Sequence, residues 1–125
     1  MKKYFLFFLL SSPLYASNCN NAVTTPDINQ CAKIEQEKVE VKLNLTYQDV
    51  IKRFSVPDTK DDKPSEIKES LVKAQRAWLK FREADCHAVY VQNQGGTIRT
   101  AMYIGCMQAR AEQRIKELKQ FDTNL

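Results

Sequence analysis

The chain has 125 residues, 27% of them charged and 43% hydrophobic, with a formal charge of +4. That length holds one domain and its core. Acids and bases are interleaved along every helical stretch rather than gathered on one element, so a nucleic-acid-binding surface is not expected.

Met1-Lys2-Lys3 is a short positive segment, and Tyr4 to Leu10 is an apolar run. The run is far shorter than the roughly twenty residues a membrane-spanning helix needs. Ser11 to Ala16 then supplies a helix breaker and small residues, so residues 1–16 read as a signal peptide cleaved after Ala16, leaving one domain at 17–125. Asn18 stands before Cys19, where a lipidated cysteine would follow Gly or Ala. Nothing later is apolar enough to span a membrane, so a soluble periplasmic or secreted protein is expected. Four cysteines in a small exported chain imply two disulfides.

Thr25-Pro26-Asp27 announces the first helix, with Thr25 as N-cap and Pro26 at the first position. The pattern stays helical to about Ser55, where Pro57 stops it. Val39, Leu43, Tyr47, Val50 and Phe54 recur at three- and four-residue steps and form its core face, with Ile28, Cys31 and Ala32 leading in. Asn44 and Tyr47 bring polar groups that need partners if they are buried. Val56 to Pro64 is a charged, proline-bounded linker.

Ser65 is the expected cap of the second helix, with Ile67, Leu71, Ala74, Trp78 and Phe81 as its apolar stripe. Another face carries Gln75, Arg82, Asp85 and Cys86. A buried, unpaired guanidinium would be costly, so Arg82 should pair with Asp85, with Glu40, or with Asn44 and Tyr47 as neutral acceptors. The helix closes at Gly95 or Gly96 in a left-handed conformation, and Thr97 caps a third helix running to about Gln120. Its stripe is Ala101, Ile104, Met107, Ala111, Ile115 and Leu118.

Cys86 lies nine residues before Gly95 and Cys106 ten after Gly96. Both thiols therefore sit about 14 Å up their helices, at one height. The expected pairing is Cys86–Cys106, which leaves Cys19–Cys31. The fold class is all-α, a small bundle of about three helices with a C-terminal antiparallel hairpin, stapled by two disulfides.

Catalytic chemistry finds little support in the residues. There is no C-x-x-C and one histidine, His87, so neither a metal nor another cofactor is expected. Cys86 and His87 are adjacent on a helix and diverge by about 100°, which excludes a nucleophile–base pair. Gly95-Gly96 is not followed by the Lys-Ser/Thr of a phosphate loop. No enzyme is expected.

The order Cys19, Cys31, Leu43-Asn44-x-x-Tyr47, Gln75-x-x-Trp78-x-x-x-Arg82-x-x-x-Cys86, Gly95-Gly96-Thr97, Cys106 and Arg114-x-x-x-Leu118 resembles the LprI-type lysozyme inhibitor family. Glu40 and Glu83 stand where that pattern favours aspartate. The resemblance implies a small exported bacterial helical protein that binds and blocks a lysozyme-like muramidase. A periplasmic interaction or immunity protein with a different protein partner is the alternative. Leu43, Asn44, Tyr47, Gln75, Trp78, Arg82, Gly95 and Gly96 are read as structural motif residues, and exposure of the Trp78 indole would instead favour a ligand groove. Gln94, Gly95, Gly96, Thr97 and Arg99, at the hairpin tip, form the candidate partner contact.

Overall fold

A computed structural model describes residues 19–123, so the expected leader at 1–16 lies outside the described residues. A 3-10 turn at Cys19–Asn21 precedes α1 (Thr25–Arg53), α2 (Pro64–Gln92) and α3 (Arg99–Thr123), and no strand occurs among the described residues. The expected all-α class with three helices and two disulfides is what forms.

The cap of α1 is Thr24, one residue earlier than expected. Its hydroxyl accepts from the Asp27 backbone N–H at 3.3 Å and donates to the Asp27 carboxylate. The hydroxyl satisfies one orphan N–H of the first turn, and Pro26 sits where no N–H is needed. Ser65 is likewise not the cap of α2. The N-cap is Lys63, which makes no side-chain cap bond, and Ser65 instead donates its N–H and hydroxyl to Asp58 at 3.0 and 2.7 Å. The proline-bounded linker thus supplies an acceptor to the positive end of α2.

Arg53, at the end of α1, donates to the Asp122 carbonyl at 2.6 Å, while Cys86 and Cys106 join the far halves of α2 and α3. α1 and α3 therefore run parallel, with α2 antiparallel to both. α3 lies between the other two and packs extensively on each, whereas α1 and α2 meet only narrowly. The core joins Leu43, Val50 and Phe54 of α1, Leu71 of α2, and Ala111, Ile115 and Leu118 of α3. Val39, Tyr47, Ile51 and Trp78 close around it.

The buried face of α2 differs from the expected stripe. Leu71, Gln75, Arg82 and Cys86 are buried and Trp78 is half-buried, but Ile67, Ala74 and Phe81 face solvent. The disulfide explains the rotation. Cys86 must face Cys106, and residues four, eight, eleven and fifteen positions earlier share its side of the helix. They are Arg82, Trp78, Gln75 and Leu71.

The hairpin turn is also closed differently. No glycine among the described residues has positive φ. Asn93 ends α2 by donating its side-chain amide to the Val89 carbonyl at 2.8 Å, and its own carbonyl accepts from Gly96 at 3.0 Å. Successive tight turns replace the left-handed glycine, and α3 starts at Arg99, leaving Thr97 in the turn rather than at the cap.

Both expected disulfides form, each with Cα atoms 5.6 Å apart. They should contribute unequally. Replacing Cys86 and Cys106 by serine should cost about 3 kcal/mol in urea unfolding, the loop-entropy value for such a span. Replacing Cys19 and Cys31 should cost under about 1 kcal/mol, because the 3-10 turn it holds buries no residue and can fray without loss. Equal losses would contradict this.

Asp58 supplies a second expectation. The Ser65 hydroxyl and N–H, with Lys63 nearby, hold its carboxyl below the usual range against a small opposing effect of desolvation. A carboxyl lowered in the folded state stabilises above its unfolded pKa, and that contribution is lost as pH falls through the folded one. Asp58→Ala should therefore lower the Tm at neutral pH, with the gap to the parent closing below the carboxylate range. A gap unchanged at low pH would contradict it.

Candidate functional site

The motif residues converge where the three helices meet. Arg82 from α2 is 6% exposed, and its Nη1 donates to Glu40 Oε1 of α1. Of the three partners open to it in the sequence, Glu40 is the one taken. Its guanidinium lies 4.7 Å from the centroid of Trp78, and Arg114 of α3 lies 5.9 Å from the same ring. Two cations thus use one indole, a favourable arrangement when water is largely excluded. Arg82 Nε is buried with no hydrogen-bond partner, so the ring contact helps compensate that part of the charge.

Gln75 is 7% exposed, and its carbonyl accepts from Arg114 Nε at 3.0 Å. Arg114 also reaches Glu117 at 3.1 Å. Asp85 turns away from Arg82 and takes Arg110 of α3, with Nε at 2.8 Å and Nη2 at 2.7 Å. Sequence reasoning missed Arg110 and the Arg114–Gln75 bond. The signal available was the spacing of Arg110 and Arg114, four residues apart on the face of α3 that also carries Cys106.

Leu43 is buried and Tyr47 packs half-buried against the core, while Asn44 is exposed. Trp78 is neither open nor sealed, being half-buried between the core and the two guanidinium groups. The cluster spends its polar groups on one another. Its chemistry is that of a clamp between helices, and Asp85, Cys86 and Cys106, whose donor atoms gather within 4.8 Å, offer a metal nothing because both sulfurs are bonded and the carboxylate holds Arg110.

The tip forms a separate surface. Gln94, Gly95, Gly96, Thr97 and Ile98 are all exposed, and Arg99 is half-buried with its guanidinium 5.2 Å from the Tyr90 ring. Tyr90 meets Tyr103 edge-on at 6.3 Å and His87 at 6.2 Å, so Arg99 is steadied by aromatic contacts beneath the turn. Glu83, His87, Tyr90 and Tyr103 line a shallow depression of about 220 Å³ beside it. A Cβ at Gly95 would meet nothing and one at Gly96 only the Asn93 carbonyl at 3.5 Å, so the glycines keep the tip bare rather than relieve crowding within the chain.

Comparison with known proteins accords with this framework. The family described as lysozyme inhibitor LprI matches residues 16–118. The chain belongs to that family. It is 30% identical over 107 residues to an uncharacterized protein of Rhizobium meliloti (strain 1021), covering 82% of this chain and 77% of that one. It is also 30% identical over 98 residues to the uncharacterized protein YecT of Escherichia coli (strain K12), covering 74% of this chain and 60% of YecT. The match thus spans less than two thirds of YecT's length. No solved structure matches. The LprI match takes in the clamp, both disulfides and the tip.

Glu40 is the counter-charge of the clamp. Glu40→Ala should lower unfolding free energy by about 3 kcal/mol, since it leaves a guanidinium buried without an anion. Urea titration by circular dichroism measures this, and a loss under about 0.5 kcal/mol would mean that solvent already compensates Arg82. Arg82→Lys should also destabilise, because an ammonium cannot reproduce the planar contact with Trp78.

Proposed function

We propose that this chain is an exported bacterial envelope protein that binds and blocks a lysozyme-like muramidase. In this reading residues 1–16 are removed as a signal peptide and residues 17–125 act as a single domain in the periplasm or outside the cell, without enzymatic activity of their own. The observation that carries the proposal is the LprI family match over residues 16–118. The two disulfides are consistent with an extracytoplasmic protein, and no helix among the described residues is long and apolar enough to cross a membrane.

Loss of Lys2 and Lys3 with the leader reduces the formal charge from +4 to +2. A slightly basic inhibitor gains no long-range attraction to a basic enzyme, so recognition rests on local fit. The tip is the surface assigned to it. Gln94 to Ile98 stand in solvent, and Arg99 supplies a cation steadied by Tyr90. A narrow turn of this kind suits a sugar-binding cleft whose working groups are two carboxylates. The clamp residues serve the same function indirectly, by holding α2 and α3 in the geometry that presents the turn.

A cell-wall clearing assay with oxidised residues 17–125, titrated against several lysozyme classes, tests this. Dose-dependent inhibition that disappears on reduction is expected, and no inhibition by folded, oxidised protein would overturn the reading. Gly96→Arg and Arg99→Glu should each weaken inhibition at least tenfold while leaving helix content unchanged. Undiminished inhibition by both would remove the tip from the interface.

A further inference from the structure

Three lysines converge on one groove between α1 and α3. Lys42 comes from α1 and Lys116 and Lys119 from α3, and together with Val39, Glu112 and Ile115 they line a concavity of about 310 Å³. That volume is at the small end of ligand sites. On α3, the steps of three and four residues from Glu112 to Lys119 keep all four lining positions on one side of the helix. Ile115 is buried and Val39 half-buried, so part of the wall is apolar, while all three lysines are exposed.

Folding does not use these charges. The lysine ion pairs among the described residues belong to Lys33, Lys38 and Lys73, each with a glutamate of its own helix. Glu112 stands one turn before Lys116, at a spacing that favours a pair, yet its carboxylate accepts from Gln108 Nε2 at 3.0 Å instead. Three cations beside an apolar wall focus their field into the groove and draw anions to it.

We infer that this groove binds a phosphate monoester group. The three lysines less Glu112 leave a formal charge of +2, and such a group carries about −1.5 to −2 at neutral pH. The choice of cation favours phosphate over carboxylate. Every ion pair between helices among the described residues joins a carboxylate to an arginine, through Arg53, Arg82 and Arg110, whereas no arginine lines the groove. A planar carboxylate matches the guanidinium fork, while ammonium groups are compact point charges on flexible stems that close around a tetrahedral oxyanion from three directions. Glu112 lies thirteen residues after Arg99, which places the groove about 20 Å along α3 from the tip. Its occupation therefore leaves the tip free, and the site does not depend on the inhibitor reading.

The test is an NMR titration of the exported, oxidised protein with inorganic phosphate, at a constant ionic strength of about 0.15 M so that long-range attraction is screened. Saturable amide shifts centred on Val39, Lys42 and the α3 turns from Glu112 to Lys119 are expected, with a millimolar Kd. Lys42→Glu and Lys116→Glu should each weaken binding about tenfold with helix content unchanged, whereas Lys80→Glu on α2, the same change in net charge away from the groove, should leave it within about twofold. Vesicles of phosphatidylcholine with and without phosphatidate identify the bearer of the group. Capture by phosphatidate vesicles that is lost in Lys116→Glu assigns it to a lipid headgroup, and phosphate binding without such capture assigns it to a soluble phosphate; both support the site. No saturable shift, shifts scattered over the lysines of the whole surface, or equal losses in Lys80→Glu and Lys116→Glu would overturn the inference.

Discussion

Arg82 brings a full positive charge into the place where three helices meet, and the bundle can close only if that charge is compensated. Glu40 provides the anion, Trp78 provides a polarisable face, and Arg114 shares that face while holding Gln75. Because α1 and α2 otherwise meet only narrowly, the Glu40–Arg82 pair is the principal polar tie between them. The apolar core lies to the base side of this point, in Val50, Phe54, Leu71, Ile115 and Leu118. Few side chains are fully buried, so leaving Arg82 without its anion would cost a large fraction of the stability of a domain this size.

Three helices, their order, and both disulfides were legible from spacing alone. Helical periodicity and the symmetric placement of Cys86 and Cys106 about the turn carry long-range information that does not depend on neighbours. The stripe of α2 was not legible, because that helix has two apolar faces and periodicity does not say which one is inside. Ile67, Ala74 and Phe81 look as good as Leu71 and Trp78 until Cys86 is used as the angular reference. Caps were misplaced by a residue or two for a local reason: Thr24 and Thr25 offer the same hydroxyl, and Ser65 was claimed by Asp58 across the linker. At the turn, Asn93 took the closing role that glycine was expected to fill.

The residues most prominent in the motif belong to the framework, while the exposed tip carries side chains with few demands placed on them by folding. Gln75, Trp78 and Arg82 answer to burial, charge and ring geometry at once, so their chemistry is tightly specified. Gln94 and Thr97 answer to none of these. A strong sequence signature here reports how the molecule holds its shape.

The two covalent crosslinks share a further property. Cys19–Cys31 closes on α1 and the turn before it, and Cys86–Cys106 closes on α2 and α3, so neither spans the linker at residues 56–63. Oxidation therefore partitions the molecule into two separately crosslinked pieces joined by one strand of chain. Cutting that strand would release α1 from the α2–α3 hairpin topologically, with only packing and the clamp to hold it. Even fully oxidised, the fold remains open to exchange of its first helix between copies.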